Sequence, residues 1–292
     1  MDRRHILVRV VAALAVVGVV MAAYLLWARP YQLHWGATEA EIQGSMPGDE
    51  LYSSPSFLAT RAITIDNPPE KIWPWLIQMG FGRAGFYGYD ILENIGSPRG
   101  ASSADTILPD LQNPRVGDPL PLSAAGGLLF YAIEPNQYVV WSGADGWGDF
   151  AWVLSPIDAG HTRLVSRIGW THHWTEAGPL VFDIFTEFTD HLAVRKILQG
   201  VKGRAEGRAA PPAQANLEFF TYLAAALLFL GGVVLVLVRP LTWRGWFAAL
   251  ASGAGWLITW YAPISIWVGM MLELFILGVL VWAASTSQLQ RA

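Results

Sequence analysis

His172 and His173, set between Trp170 and Trp174, are side chains suited to acid–base work near neutral pH. Neighbouring histidines on an extended backbone point to opposite faces, so the pair cannot chelate one metal together, and the expectation is a solvated loop. Further on, Asp183, Glu187, Asp190 and His191 fall at i, i+4, i+7 and i+8 and share one side of a helix. Such a set could hold a metal, but a solvated polar face accounts for it equally well. Asp90 and Glu93 flank Ile91 and Leu92 and could orient a ligand, or could be ordinary helix-surface charges. Arg83, in the turn FGRAG, could meet an anionic headgroup or face water. The sequence has no HExxH, no paired-cysteine zinc spacing, no GxSxG and no phosphate-binding glycine loop. It has no cysteine, which removes disulfide and thiolate chemistry. No catalytic residue, metal ligand or cofactor is assigned.

The aromatic residues form a second set. Trp73, Trp75, Phe86, Tyr87, Tyr89, Phe130, Tyr131, Trp141, Phe150 and Trp152, with Phe185 and Phe188, could line an apolar cavity, since ligand pockets are mostly apolar with a few placed polar groups. Any one of them could equally be plain core.

The elements that must position these residues lie between positions 58 and 208. LATRAITID alternates as a strand, with Ile63 and Ile65 on one face. Asn67, Pro68 and Glu70 then read as a helix start, with Asn67 as the cap, and Gly80 and Gly82 end that helix. A short helix is expected near 89 to 95, followed by a loop over 96 to 115. Strands are expected at 117–122, 127–134, 137–142, 149–155 and 162–168, joined by tight turns. A long helix over 179–206 closes the block, with Val181, Phe185, Phe188, Leu192, Leu198 and Val201 at helical spacing.

Four apolar stretches frame this block, at 10–28, 216–238, 245–261 and 264–285. Each is close to the roughly 20 residues that about 30 Å of hydrocarbon requires, so all four are expected to be transmembrane helices. Residues 1–9 form a short N-terminus, and 29–57 read as an irregular lead-in. Arg3, Arg4, Arg9, Arg239, Arg244 and Arg291 fall on one side of such a layout, which makes that side cytoplasmic and the block extracytoplasmic, in the cell (plasma) membrane. Glu273 lies mid-span. A carboxyl at that depth is a functional candidate by default, or a neutral group hydrogen-bonded within the bundle, to Ser252, Thr259, Tyr222 or backbone. A net charge of −4 offers no basic field for nucleic acid.

The order of strand, two helices, antiparallel strands and long C-terminal helix resembles the helix-grip fold of the SRPBCC superfamily, which includes START, Bet v 1-like and polyketide cyclase-like proteins. RAITIDNPPEKIWPWLIQMG is similar to the family's opening, GRAGFYGYDILENIG to a second-helix signature of a bacterial subgroup, and TRLVSRI with VRKILQGVKGRAE to its closing strand and helix. The resemblance covers about 58–208 and implies an α+β fold, a curved antiparallel sheet wrapped on a long C-terminal helix. It also implies an apolar cavity between the two for a lipid-like or other hydrophobic ligand, with Asp90 and Glu93 near its mouth. A membrane-anchored binding domain is the expected function. A cyclase, dehydratase or hydrolase, or a sensory or scaffold module acting through an unidentified protein partner, are the alternatives.

Overall fold

The computed structural model of the chain describes residues 3–52, 54–94, 102–124, 126–143 and 148–285. The chain divides into two compact units, one of Gln32–Asn216 and one of Met1–Tyr31 with Leu217–Ala292. In chain order, α1 (Arg3–Ala23) continues through a π-helical turn, Tyr24–Ala28, into α2 (Arg29–Leu33), and α3 (Glu39–Gln43) follows. Next come β1 (Phe57–Ile65), α4 (Pro69–Ile77), α5 (Asp90–Glu93), β2 (Pro119–Ser123), β3 (Gly126–Glu134), β4 (Tyr138–Ser142), β5 (Gly148–Pro156) and β6 (Thr162–Trp170). The long helix α6 (Leu180–Ala205) leads to α7 (Pro212–Val238), α8 (Trp243–Tyr261) and α9 (Ile266–Ser285). The strands form one antiparallel sheet in the order β1-β6-β5-β4-β3-β2. Meander pairing accounts for all of it except β1, which joins β6 at the far edge.

Residues directly opposed across the ladder share a face. Arg61 pairs with Ser166, Ser166 with Trp152, and Trp152 with Val139, so these four lie in one row. Ala59, Ile168, Phe150, Trp141 and Phe130 form the adjacent row of the same face. This inner face packs with Ile72, Leu76 and Met79 at α4 and with Val194, Leu198 and Val201 of α6 in a single apolar core. Gly200 permits the contact between α6 and the loop before α5, because a Cβ there would stand 2.1 Å from the Tyr87 carbonyl oxygen. Asn67 does not cap α4: Pro68 holds that position, and the Asn67 amide instead donates to the Ala205 carbonyl at 2.9 Å, tying the end of α6 to the first strand.

The outer face of the sheet is covered as well, by residues 35–52. Arg167, on β6, donates to the carbonyls of Glu41, Ile42 and Gly44, to Thr60 Oγ1 and to Asp49 Oδ2, all at 2.8–2.9 Å. Arg163 grips both carboxylate oxygens of Glu41 at 2.8 Å. Residues that look irregular in sequence therefore form a strap whose free carbonyls two strand arginines satisfy. Gly36, at φ +71°, lies so close to the Ala62 carbonyl that any side chain would collide with it.

Among the described residues, three helices are long and apolar enough to cross a membrane: Arg3–Leu33, Pro212–Val238 and Ile266–Ser285. The fourth span expected at 245–261 is corrected. Helix α8 forms there, but Arg244, Ser252, Thr259 and three glycines lower its hydropathy below that of the others. The reason is its position. Ala249 packs on Ala12, Ala13, Val16 and Val236, Ser252 faces Gly232, and Gly255 faces Ile276, so α8 meets protein on three sides and needs little lipid-compatible surface. Arg9 donates to the Val238 carbonyl at 3.3 Å, and the Arg244 guanidinium lies 4.7 Å from the Trp282 ring centre, which gathers these arginines at one end of the bundle.

Candidate functional site

The inward side of the first half of α6 is charged. Asp183, Glu187, Asp190 and His191 are all buried, so the solvated face expected for them is corrected: they face the sheet. What holds them is a set of partners distant in sequence. His172, just beyond β6, is buried with Nδ1 3.2 Å from Asp183 Oδ1 and Nε2 3.2 Å from Glu187 Oε2. A neutral imidazole has one N–H and satisfies one of those carboxylates, whereas imidazolium satisfies both. His172 is therefore no solvated loop residue, while His173 points the other way and is exposed, as alternation requires. Its backbone N–H donates to Asp183 Oδ2 at 2.5 Å.

Arg61 completes the seam. Its Nη1 donates to Asp190 Oδ2 at 2.6 Å and its Nε to the Gln32 carbonyl at 2.6 Å, while the Gln32 amide donates to the Glu187 carbonyl at 2.8 Å. His191 is fully buried, and burial first, then Arg195 and Arg61, holds its pKa well below the usual 6.5, so it is neutral.

Beside this seam stands the aromatic wall of the inner face. Trp73, Tyr87, Tyr89, Phe130, Trp141 and Trp152 are buried and Phe150 is half-buried, and all but Tyr89 belong to or pack against the main core cluster. The Trp141 and Trp152 ring centres are 5.5 Å apart. Four polar atoms here are enclosed without a hydrogen-bond partner among the described residues: Arg61 Nη2, Ser166 Oγ, Trp152 Nε1 and Trp141 Nε1. Arg61, Ser166 and Trp152 occupy consecutive strands in one row, about 5 Å apart. Three of the four atoms are pure donors and the fourth is a hydroxyl, so the patch is complementary to an acceptor oxygen.

The remaining candidates lie elsewhere. Phe185 is 40% exposed and Val181 75% exposed, so the cavity-lining role expected of Phe185 is corrected: it sits on the outer side of α6, and Phe188 is half-buried at its margin. Tyr131 is also exposed. Arg83 folds inward, donating to the carbonyls of Met79 and Ile77, and burial lowers its pKa; it closes the end of α4 and does not reach outward. Asp90 Oδ1 accepts from Ser103 N and Oγ, and Ser103 Oγ in turn accepts from the Tyr87 N–H, so Asp90 braces a loop. The bracing holds Tyr87 at φ +64°. The Glu93 side chain lies outside the described residues. Glu273 belongs to the other unit, where its Oε1 is enclosed without a hydrogen-bond partner, so the bond expected for it is not made at that atom.

Arg61 and Ser166 were not singled out by sequence reasoning. The signal was there: each shares strand parity with core residues, Arg61 with Ile63 and Ile65, Ser166 with Leu164 and Ile168. A charged residue at inward parity calls for a buried partner.

No known family model matches the chain, and no curated protein matches it. Among solved structures, it is similar to the self-sacrificing resistance protein CalC from Micromonospora echinospora, at 12% identity and TM-score 0.32, covering 52% of this chain and 96% of that one. A polyketide-cyclase-like protein from Corynebacterium glutamicum aligns at 15% identity and TM-score 0.25, covering 51% of this chain and 83% of its own. A conserved protein of unknown function from Enterococcus faecalis aligns at 15% identity and TM-score 0.28, over 57% and 84%. Likeness at this level says nothing about what this chain binds.

Proposed function

We propose that the chain is a membrane-anchored, SRPBCC-like helix-grip domain that binds a hydrophobic or lipid-like molecule against the inner face of its sheet. The observation that carries this reading is the group of enclosed, unpartnered donors on an aromatic wall. A buried donor without a partner costs about 1–3 kcal/mol, so a fold that keeps several of them together is served by a ligand that accepts their hydrogen bonds. The charge of Arg61 is already balanced by Asp190. The donors thus favour an uncharged acceptor, an ester or ketone oxygen on an apolar body, over a free carboxylate. On this reading the domain faces the extracytoplasmic side of the cell membrane, following the arginines gathered at one end of the helical bundle.

The test is extraction of the purified full chain followed by mass spectrometry, together with displacement of an environment-sensitive apolar dye by the extract. Ser166→Ala and Trp152→Phe each remove one donor and little bulk, so each should weaken binding by roughly 3- to 10-fold, the worth of about one hydrogen bond. Absence of any co-purifying apolar molecule, with dye affinity indifferent to both substitutions, would overturn the proposal and leave the donors to buried water.

An enzyme is the second reading, favoured by one observation: His172 lies between two buried carboxylates. Turnover of the extracted molecule by the parent and its loss in His172→Gln would establish it.

A further inference from the structure

The first turns of α6 are inverted relative to an ordinary surface helix. At 100° per residue, Val181, Ile184, Phe185 and Phe188 make one apolar stripe, and Asp183, Glu187 and Asp190 lie roughly opposite. The charged side is the one turned inward, where His172 and Arg61 hold it. The apolar side is turned outward: Val181 is 75% exposed, Ile184 46%, Phe185 40%, and the neighbouring Phe182 and Trp174 42% and 46%. Five large apolar side chains exposed within twelve residues, four of them on the first turns of α6 where no charged residue is exposed, form a patch of the kind that marks an interaction surface, and Glu176 is the exposed charge in the loop before the helix.

Chain continuity indicates what covers it. Leu33 is the last residue of the 31-residue helix Arg3–Leu33, which is long and apolar enough to span a membrane. At 1.5 Å per residue that helix is about 46 Å long, the thickness of a bilayer with its headgroups, so a spanning helix would leave Leu33 at headgroup level. Leu33 packs against Phe57, Ala59 and Trp170, and Trp170 stacks on Phe182 with ring centres 4.4 Å apart. The exposed stripe therefore starts two side chains away from the end of a candidate span.

We infer that the outward face of α6, with Trp174, lies in the bilayer interface, so that the domain rests on lipid through this helix as well as through its tethers. Aromatic and aliphatic side chains on a helix face without exposed charge suit that zone, and Glu176 in the loop before it can stay at headgroup level. The inference is independent of ligand binding.

The chain has no cysteine, so single probes can be placed cleanly. Val181→Cys, Ile184→Cys and, as a control in the exposed β5–β6 turn, Gly160→Cys would carry an environment-sensitive fluorophore on the full chain, one copy per phosphatidylcholine nanodisc. Expected are blue-shifted emission at 181 and 184 and loss of intensity when shallow spin-labelled phosphatidylcholine is added, with neither effect at 160. Emission at 181 and 184 like that at 160 would overturn the inference. So would a blue shift without lipid quenching, which would mean protein covers the face, and so would a shift that develops only in vesicles crowded with a second copy. Val181 makes so little contact that its replacement leaves the fold intact.

Discussion

Asp149 is a carboxyl group that the fold holds in the wrong charge state, and replacing it should stabilise the protein in a pH-dependent way. It lies on the outer face of β5, almost fully enclosed by the strap, and among the described residues its oxygens accept no hydrogen bond from any other residue, its own backbone N–H alone favouring the ionised form. Burial pushes its pKa from 3.8 up to about 8, with Asp49 and Glu50 adding to the rise and Arg167 opposing it. The folded state therefore keeps the proton while the unfolded chain releases it above pH 4. A raised pKa of this kind contributes stability that is complete below the unfolded value and is lost as pH rises towards the folded value, at up to about 1.4 kcal/mol per pH unit. Four units set a ceiling of about 5 kcal/mol, and partial solvent access to the cluster brings the expectation at pH 8 to about 2–3 kcal/mol. Asp149→Asn has the same shape, never ionises and forfeits no hydrogen bond. Its advantage over the parent should be small at pH 5, grow steadily to pH 8, and then level off. His191, whose depressed pKa makes the parent lose stability as pH falls below 6.5, runs in the opposite direction. It is present in both proteins and cancels in the difference. Urea denaturation of the full chain in detergent, followed by tryptophan fluorescence from pH 5 to 9, would measure the two curves. A difference that does not change with pH, or an Asn variant weaker than the parent at pH 8, would refute the reasoning.

Glu273→Leu should keep or raise the thermal stability of the detergent-solubilised chain, because the enclosed Oε1 makes no hydrogen bond that leucine could lose; a fall in melting temperature would show that the carboxyl is bonded in the bundle. For orientation, Gly160→Cys should react with an impermeant maleimide in intact cells, and labelling only after lysis would place the domain in the cytoplasm.

The sheet and its helices were legible because their signals are local. Alternation in β1 and β6, tight turns between β3, β4, β5 and β6, and the helix start at Pro68 place each element within a few residues of where it stands. The strap was not legible. Residues 35–52 carry no period, and what orders them is the reach of Arg163 and Arg167 from a strand more than a hundred positions away. Nor was α8 distinguishable from its neighbours by length alone. Its glycines, Ser252 and Thr259 carry the information that it faces other helices.

The inversion of α6 shows most clearly why a periodic pattern cannot by itself choose its inward face. Two periods run through the helix, one apolar through Val181, Phe185 and Phe188, the other charged through Asp183, Glu187 and Asp190, and transfer free energy alone would bury the first. Which one faces the sheet is decided by what the sheet presents. Opposite the C-terminal half of α6 it presents Ile65, Leu164 and Leu154, and there Val194, Leu198 and Val201 point inward as hydrophobicity dictates. Opposite the first half stand Arg61, from β1, and His172, just beyond β6, on neighbouring strands because the first strand pairs with the last. The buried Arg61 guanidinium requires a carboxylate and the buried His172 ring requires hydrogen-bond partners, and an unmatched charge there would cost more than several apolar side chains left outside. The helix therefore changes character near His191, halfway along its length. The apolar stripe displaced to the outside then needs a covering of its own.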